Sequence, residues 1–171
     1  MHSKTVPLAK AGLLGALCVA FLYFGALLPG GRLSFLAISS LCMMSAMIET
    51  STKRAIILFV AVSAVAFFIL PQKAILGAFF LFFGPYPILK KQLERCTSRG
   101  LAYALKLLFF NVDASLSCFL VLRFFAPGMP AFFSLWMLPV FIFAANVVFL
   151  LFDHVLTLAF DLYLRKIYTF R

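Results

Sequence analysis

Acidic side chains are scarce in this sequence, with 5 aspartates and glutamates against 15 lysines and arginines in 171 residues. Charged residues of both signs make up 12%, where a soluble domain carries roughly 25%. The 65% of hydrophobic residues and a mean hydropathy of +1.12 give more apolar surface than a water-soluble fold of this length can hide. No HExxH, GxSxG, P-loop or dinucleotide-binding glycine pattern occurs, so no enzyme is expected. The 4 cysteines, Cys18, Cys42, Cys96 and Cys118, form no CxxC pair and have no histidine nearby. They therefore define no zinc or disulfide framework, and neither metal nor cofactor is expected. The net charge of +10 does not point to nucleic acid, because the basic residues form no continuous patch.

What is abundant is apolar runs. They cover 8–28, 33–48, 55–70, 74–89, 101–125 and 131–164, separated by Pro-Gly or basic segments. A bilayer span needs about 20 residues. The second, third and fourth runs, each of 16 residues, are short but can span if flanking side chains snorkel. The last run is too long for one perpendicular span; it tilts, bends at Pro139, or emerges after Asp153. Pro85 and Pro87 are expected to end the fourth helix, with the basic stretch 90–106 facing cytoplasmic lipid. Lys4 and Lys10 before the first run resemble the start of a signal peptide. The run is long enough to span and is read as a retained first helix.

Positive charge tests the count. With six spans and the N-terminus inside, the inner segments hold Lys4, Lys10, Lys53, Arg54, Lys90, Lys91, Arg95, Arg99, Lys106, Arg165, Lys166 and Arg171. The outer segments hold only Arg32, Lys73 and Arg123. Twelve against three follows the positive-inside rule. The expected fold is a single all-α domain, 1–171: a compact bundle of six transmembrane helices with both termini cytoplasmic.

Polar groups inside spans are costly and so are functional candidates. Asn111, Asp113, Asp153 and His154 form an intramembrane set. Asp113 and Asp153 are expected to meet in the inner half, with Lys106 as counter-ion to Asp113. Asp153 and His154, as neighbours, point to different helix faces. Toward the outside, Arg32, Lys73 and Arg123 stand one per loop, with Ser39, Ser40, Trp136 and Asn146 in the outer-to-middle helices. Together they are the expected solute-binding set, with the three cations capping an anionic solute or snorkelling to headgroups. The first helix presents Ala9, Gly12, Ala16 and Ala20 at helical spacing, a face that a second helix can approach closely.

With Ala16-Leu17-Cys18-Val19-Ala20 and the Pro29-Gly30-Gly31-Arg32 loop, the layout resembles the S-components of energy-coupling factor transporters. Those are six-helix solute-binding subunits of similar size. The resemblance implies that Gly12, Ala16 and Ala20 dock on a transmembrane coupling subunit energised by ATPases, in a bacterial inner membrane. It also implies that the first outer loop covers the solute. The chain departs from the metal-binding members, because His2 is followed by Ser3. The layout is similar, too, to the rod-shape membrane subunit of the wall-elongation machinery, so a structural subunit is one alternative. A small proton- or ion-coupled carrier using Asp113 and Asp153 is another.

Overall fold

Backbone amides in an apolar run must be satisfied within the run, and helices do this. The computed structural model describes residues 5–96, 98–124 and 138–169. The elements are α1 (Thr5–Leu27), a 3₁₀ turn (Pro29–Gly31), α2 (Arg32–Glu49), α3 (Thr52–Ile69), α4 (Lys73–Ala78), a π-helical turn (Phe79–Phe83), α5 (Tyr86–Cys96), α6 (Arg99–Phe124) and α7 (Leu138–Thr169). Six helical segments among them are long and apolar enough to cross a membrane, and the fourth, Lys73–Leu93, joins α4, the π turn and α5.

The helix ends follow from local chemistry. Thr50 closes α2, its hydroxyl donating to Ala46 O at 2.7 Å. Ser51 caps the start of α3 by accepting from the Arg54 N–H at 3.5 Å. Pro71 stops α3, and Lys73 then folds back to donate to the Phe67 and Leu70 carbonyls while standing 4.7 Å over the Phe67 ring.

Gly84-Pro85 does not end the fourth span, contrary to the expectation from sequence. Proline removes one ladder hydrogen bond and crowds the preceding turn. The chain absorbs this by widening into the π turn, where Gly84 N–H donates to Phe79 O at 2.7 Å. The Pro85 carbonyl then accepts from both Ile88 and Leu89, each at 3.1 Å, and starts α5. Pro87 falls in the first turn of α5, where its missing N–H costs nothing. No side chain fits at Gly84, because an added Cβ would overlap the Phe59 ring and press on Phe79 O at 3.0 Å. From Leu138 onward α7 is uninterrupted over 32 described residues, Pro139 included.

Two larger apolar cores, and a small third of Met47, Ala55 and Ile88, divide the bundle. Ala11, Gly15, Cys18, Leu22 and Ala26 recur three and four apart along α1 and form its buried stripe. Of these, Cys18, Leu22 and Ala26 join Leu36, Met43, Val62, Ala66 and Phe79 in the first core. The second core gathers Met44, Phe82, Tyr86, Phe149 and Leu156. Both α2 and the fourth span contribute to each core, so they tie the halves together. The α2 window is 44% buried, against 11% for Gly100–Phe119 and 17% for Ile142–Leu162. Apolar contact therefore contributes least where α6 and α7 attach. Large side chains such as Phe68 (84% exposed) and Leu13 (73%) point outward, the pattern of a bundle whose solvent is apolar.

Candidate functional site

Polar groups do much of the joining at α6 and α7. Tyr86 and Lys90 lie one turn apart on α5, as Asp153 and Thr157 do on α7. The Tyr86 hydroxyl donates to Asp153 Oδ1 at 2.6 Å, and Lys90 Nζ donates to the same oxygen at 2.5 Å. Lys90 also donates to Asp153 O at 2.8 Å and Thr157 Oγ1 at 2.6 Å. From α6, Lys106 Nζ reaches Asp153 Oδ2 at 3.2 Å. Lys90, Asp153 and Lys106 are only 2%, 3% and 4% exposed. A buried carboxylate is tolerable where cations and hydroxyls surround it, so this cluster fixes α5, α6 and α7 against each other.

One level along, Asn111 and Asn146 exchange amide hydrogen bonds across α6 and α7, at 2.9 Å and 3.2 Å. Phe110 stacks on Phe149 with centroids 4.6 Å apart. The pairs Lys106–Asp153, Phe110–Phe149 and Asn111–Asn146 run in opposite order along the two helices, which are therefore antiparallel. The Tyr86 ring, held by its hydroxyl to Asp153, stacks on Phe82 at 5.2 Å.

Beyond Phe82 lies a cavity of about 620 Å³, open along the outside of the bundle where Leu33 and Leu151 are exposed, between α2, the fourth span, α6 and α7. Phe82, Phe83, Phe110 and Phe152 form much of its apolar wall. Ser34 on α2 and Asp113 and Ser117 on α6 are its polar lining, and the small side chains Ala37 and Ala145 leave it open. Ser34 follows the Pro29–Gly31 turn closely, so the cavity reaches that end of the bundle. A second cavity of about 480 Å³ lies between α3 and the fourth span, lined by Ser63 and Lys73.

The sequence-predicted residues distribute as follows. Lys106 is the partner of Asp153 and not of Asp113, because it meets α7 across an antiparallel pair rather than pointing along its own helix. Asp113 is half-buried at the first cavity and makes no hydrogen bond or ion pair among the described residues. His154 is exposed while Asp153 is buried, as their adjacency requires. Ser39 is buried and spends its hydroxyl on Leu36 O at 2.7 Å, and Ser40 is buried with no hydrogen-bond partner. Neither lines the first cavity. Arg32 is exposed, Lys73 caps α3, and Asn146 holds Asn111. Trp136 and the side chain of Arg123 lie outside the described residues. Gly12 and Ala16 are exposed and Ala20 is half-buried. Among the described residues no three metal-ligating side chains come together.

Tyr86, Lys90 and Thr157 were missed, because Gly84-Pro85 marked the end of a span and assigned Lys90 to a loop. The Tyr86/Lys90 and Asp153/Thr157 spacings of four were the available signal. Comparison with protein families, with curated proteins and with solved structures finds no match to this chain. Its function rests on the chemistry of these sites.

Proposed function

We propose that the chain is a membrane-embedded solute-binding subunit that takes a small molecule into the cavity beside Asp113 and works with partner subunits that supply energy. The cavity carries the reading. Its 620 Å³ falls within the range of about 300–1,000 Å³ typical of small-molecule sites. Its wall is apolar with a few polar groups, and it lies between helices of a bundle, where such sites are built. Six crossings would put both termini on one side, and the charge tally favours the cytoplasm for that side. Lys90 and Lys106 are buried and leave the loop tally, so the asymmetry of the remaining cations is ten inside to three outside, the same sign. The first cavity then faces the outer half and the ion cluster the inner half. Native mass spectrometry of the protein released from detergent is expected to show a retained small molecule that Ala145→Trp, which fills the cavity, removes. Identical spectra for the two proteins would overturn the reading.

The partner subunit is expected on α1. Its packing stripe leaves Gly12 and Ala16 on the opposite side, and a Cβ at Gly12 would meet nothing within 4 Å. Small side chains there permit close approach of another helix. Ala16→Trp with Ala20→Trp is expected to abolish co-purification with an ATPase-driven coupling module and to stop uptake. Unchanged partner binding and uptake would remove the docking claim. The carrier alternative has less support, because the Asp153 carboxylate is held by two ammonium groups and does not pair with Asp113.

A further inference from the structure

Among the described residues Asp113 is the one acidic side chain in the wall of the first cavity. It makes no hydrogen bond or ion pair among the described residues, and it is half-buried in a wall that it shares with phenyl rings. A carboxylate in such surroundings is costly unless a cation meets it. Aromatic faces add to the same preference, since they attract cations and repel anions. Phe82, Phe83, Phe110 and Phe152 supply those faces, and Ser34 and Ser117 supply neutral hydroxyls. Among the described residues no lysine or arginine lines the cavity, whereas Lys90 and Lys106 are committed to Asp153.

From this we infer that the ligand of the cavity is an apolar, ring-bearing amine in its ammonium form. The ammonium pairs with Asp113 and the ring system lies among Phe82, Phe110 and Phe152. The inference rests on the solute-binding reading and names the chemical class that the site selects. It reverses the expectation of an anionic solute drawn from Arg32, Lys73 and Arg123. An ethanolamine lipid headgroup carries the same ammonium without the ring and is the competitor that the test must exclude.

The test uses three indoles of matched shape: tryptamine, its alcohol tryptophol, and indole-3-acetate. Binding to the full chain in phosphatidylglycerol nanodiscs is measured by equilibrium dialysis, with protein-free discs subtracted. Tryptamine is expected to bind about tenfold or more tightly than tryptophol, the factor of a charge-assisted hydrogen bond, with indole-3-acetate the weakest. Asp113→Asn should bring tryptamine to the level of tryptophol, and Asp113→Glu should restore the preference. Ala145→Trp should remove binding of all three. Equal affinity for amine and alcohol, both lost in Ala145→Trp, would overturn the charge inference and leave the solute-binding reading standing. Binding indifferent to Ala145→Trp, or no binding by any of the three, would overturn both. Phosphatidylethanolamine added to the discs separates the sources. Unchanged tryptamine affinity is expected for a free ring-bearing amine, and lowered affinity would overturn that ligand in favour of the headgroup.

Discussion

Asp153→Leu is expected to destabilise the bundle by about 3–5 kcal/mol, the largest loss of any single substitution here. One carboxylate serves Tyr86, Lys90 and Lys106, and all three partners come from other helices. Removing it leaves two buried ammonium groups close together without their shared carboxylate, Lys90 still donating to the residue-153 carbonyl and to Thr157 Oγ1. The penalty comes from uncompensated buried charge, not from a strong bond lost. The triple variant Asp153→Leu, Lys90→Met, Lys106→Met is therefore expected to recover most of the stability, since apolar replacement of a whole buried ion cluster is often neutral or better. The difference between the single and triple variants gives the coupling directly. Thermal loss of the monodisperse chromatographic peak measures both. A triple variant as unstable as the single would mean that the cluster's hydrogen-bond geometry, and not its charge balance, holds the helices.

The second large effect is expected at Phe82. Its ring lies 5.1 Å from Phe83, 5.2 Å from Tyr86, 5.6 Å from Phe110 and 5.9 Å from Phe152 by centroid, with Phe149 and Phe109 at 6.0 Å and 6.4 Å. In a water-soluble core, Phe→Ala costs about 3–5 kcal/mol, part of it transfer from water. In lipid the separated helices are already in an apolar solvent, so the transfer part vanishes and the lost packing remains. About 2–3 kcal/mol is then expected for Phe82→Ala. Phe68→Ala, at a side chain 84% exposed, is expected to be near neutral. Equal melting of the two variants would show that the aromatic cluster contributes no packing energy.

The segments were legible because span length and charge placement are strong, independent constraints. Both give six, and among the described residues the helix bounds fall within a few residues of the apolar runs except where the fourth span ends. That end was illegible for a local reason. Gly84-Pro85-Tyr86-Pro87 carries every mark of a terminus, and only the widened turn at Phe79–Phe83 lets the helix restart. The error propagated to Lys90, which was read as a loop cation. Asp113 and Asp153 were marked by their cost in a span, but partner choice depends on which helices lie adjacent and in what register. One sequence carries little of that information. The buried stripe of α1 shows the same limit: small residues occur on both of its sides, and only packing separates Gly15 from Gly12.

The ion cluster also has an order in time. Lys90 precedes Asp153 by 63 residues and Lys106 precedes it by 47. At about 5–20 residues per second, synthesis needs roughly 3–13 s to bring out the carboxylate after Lys90. During that interval the two lysines enter the bilayer, each at about 2.5–3.5 kcal/mol on insertion scales, without the group that later neutralises them. A nascent chain stalled before α7 thus presents misplaced charge to the insertion machinery, and arrival of the last helix removes it. A chain truncated before α7 is therefore expected to be turned over faster than the same truncation carrying Lys90→Met and Lys106→Met, a difference that pulse-chase labelling measures.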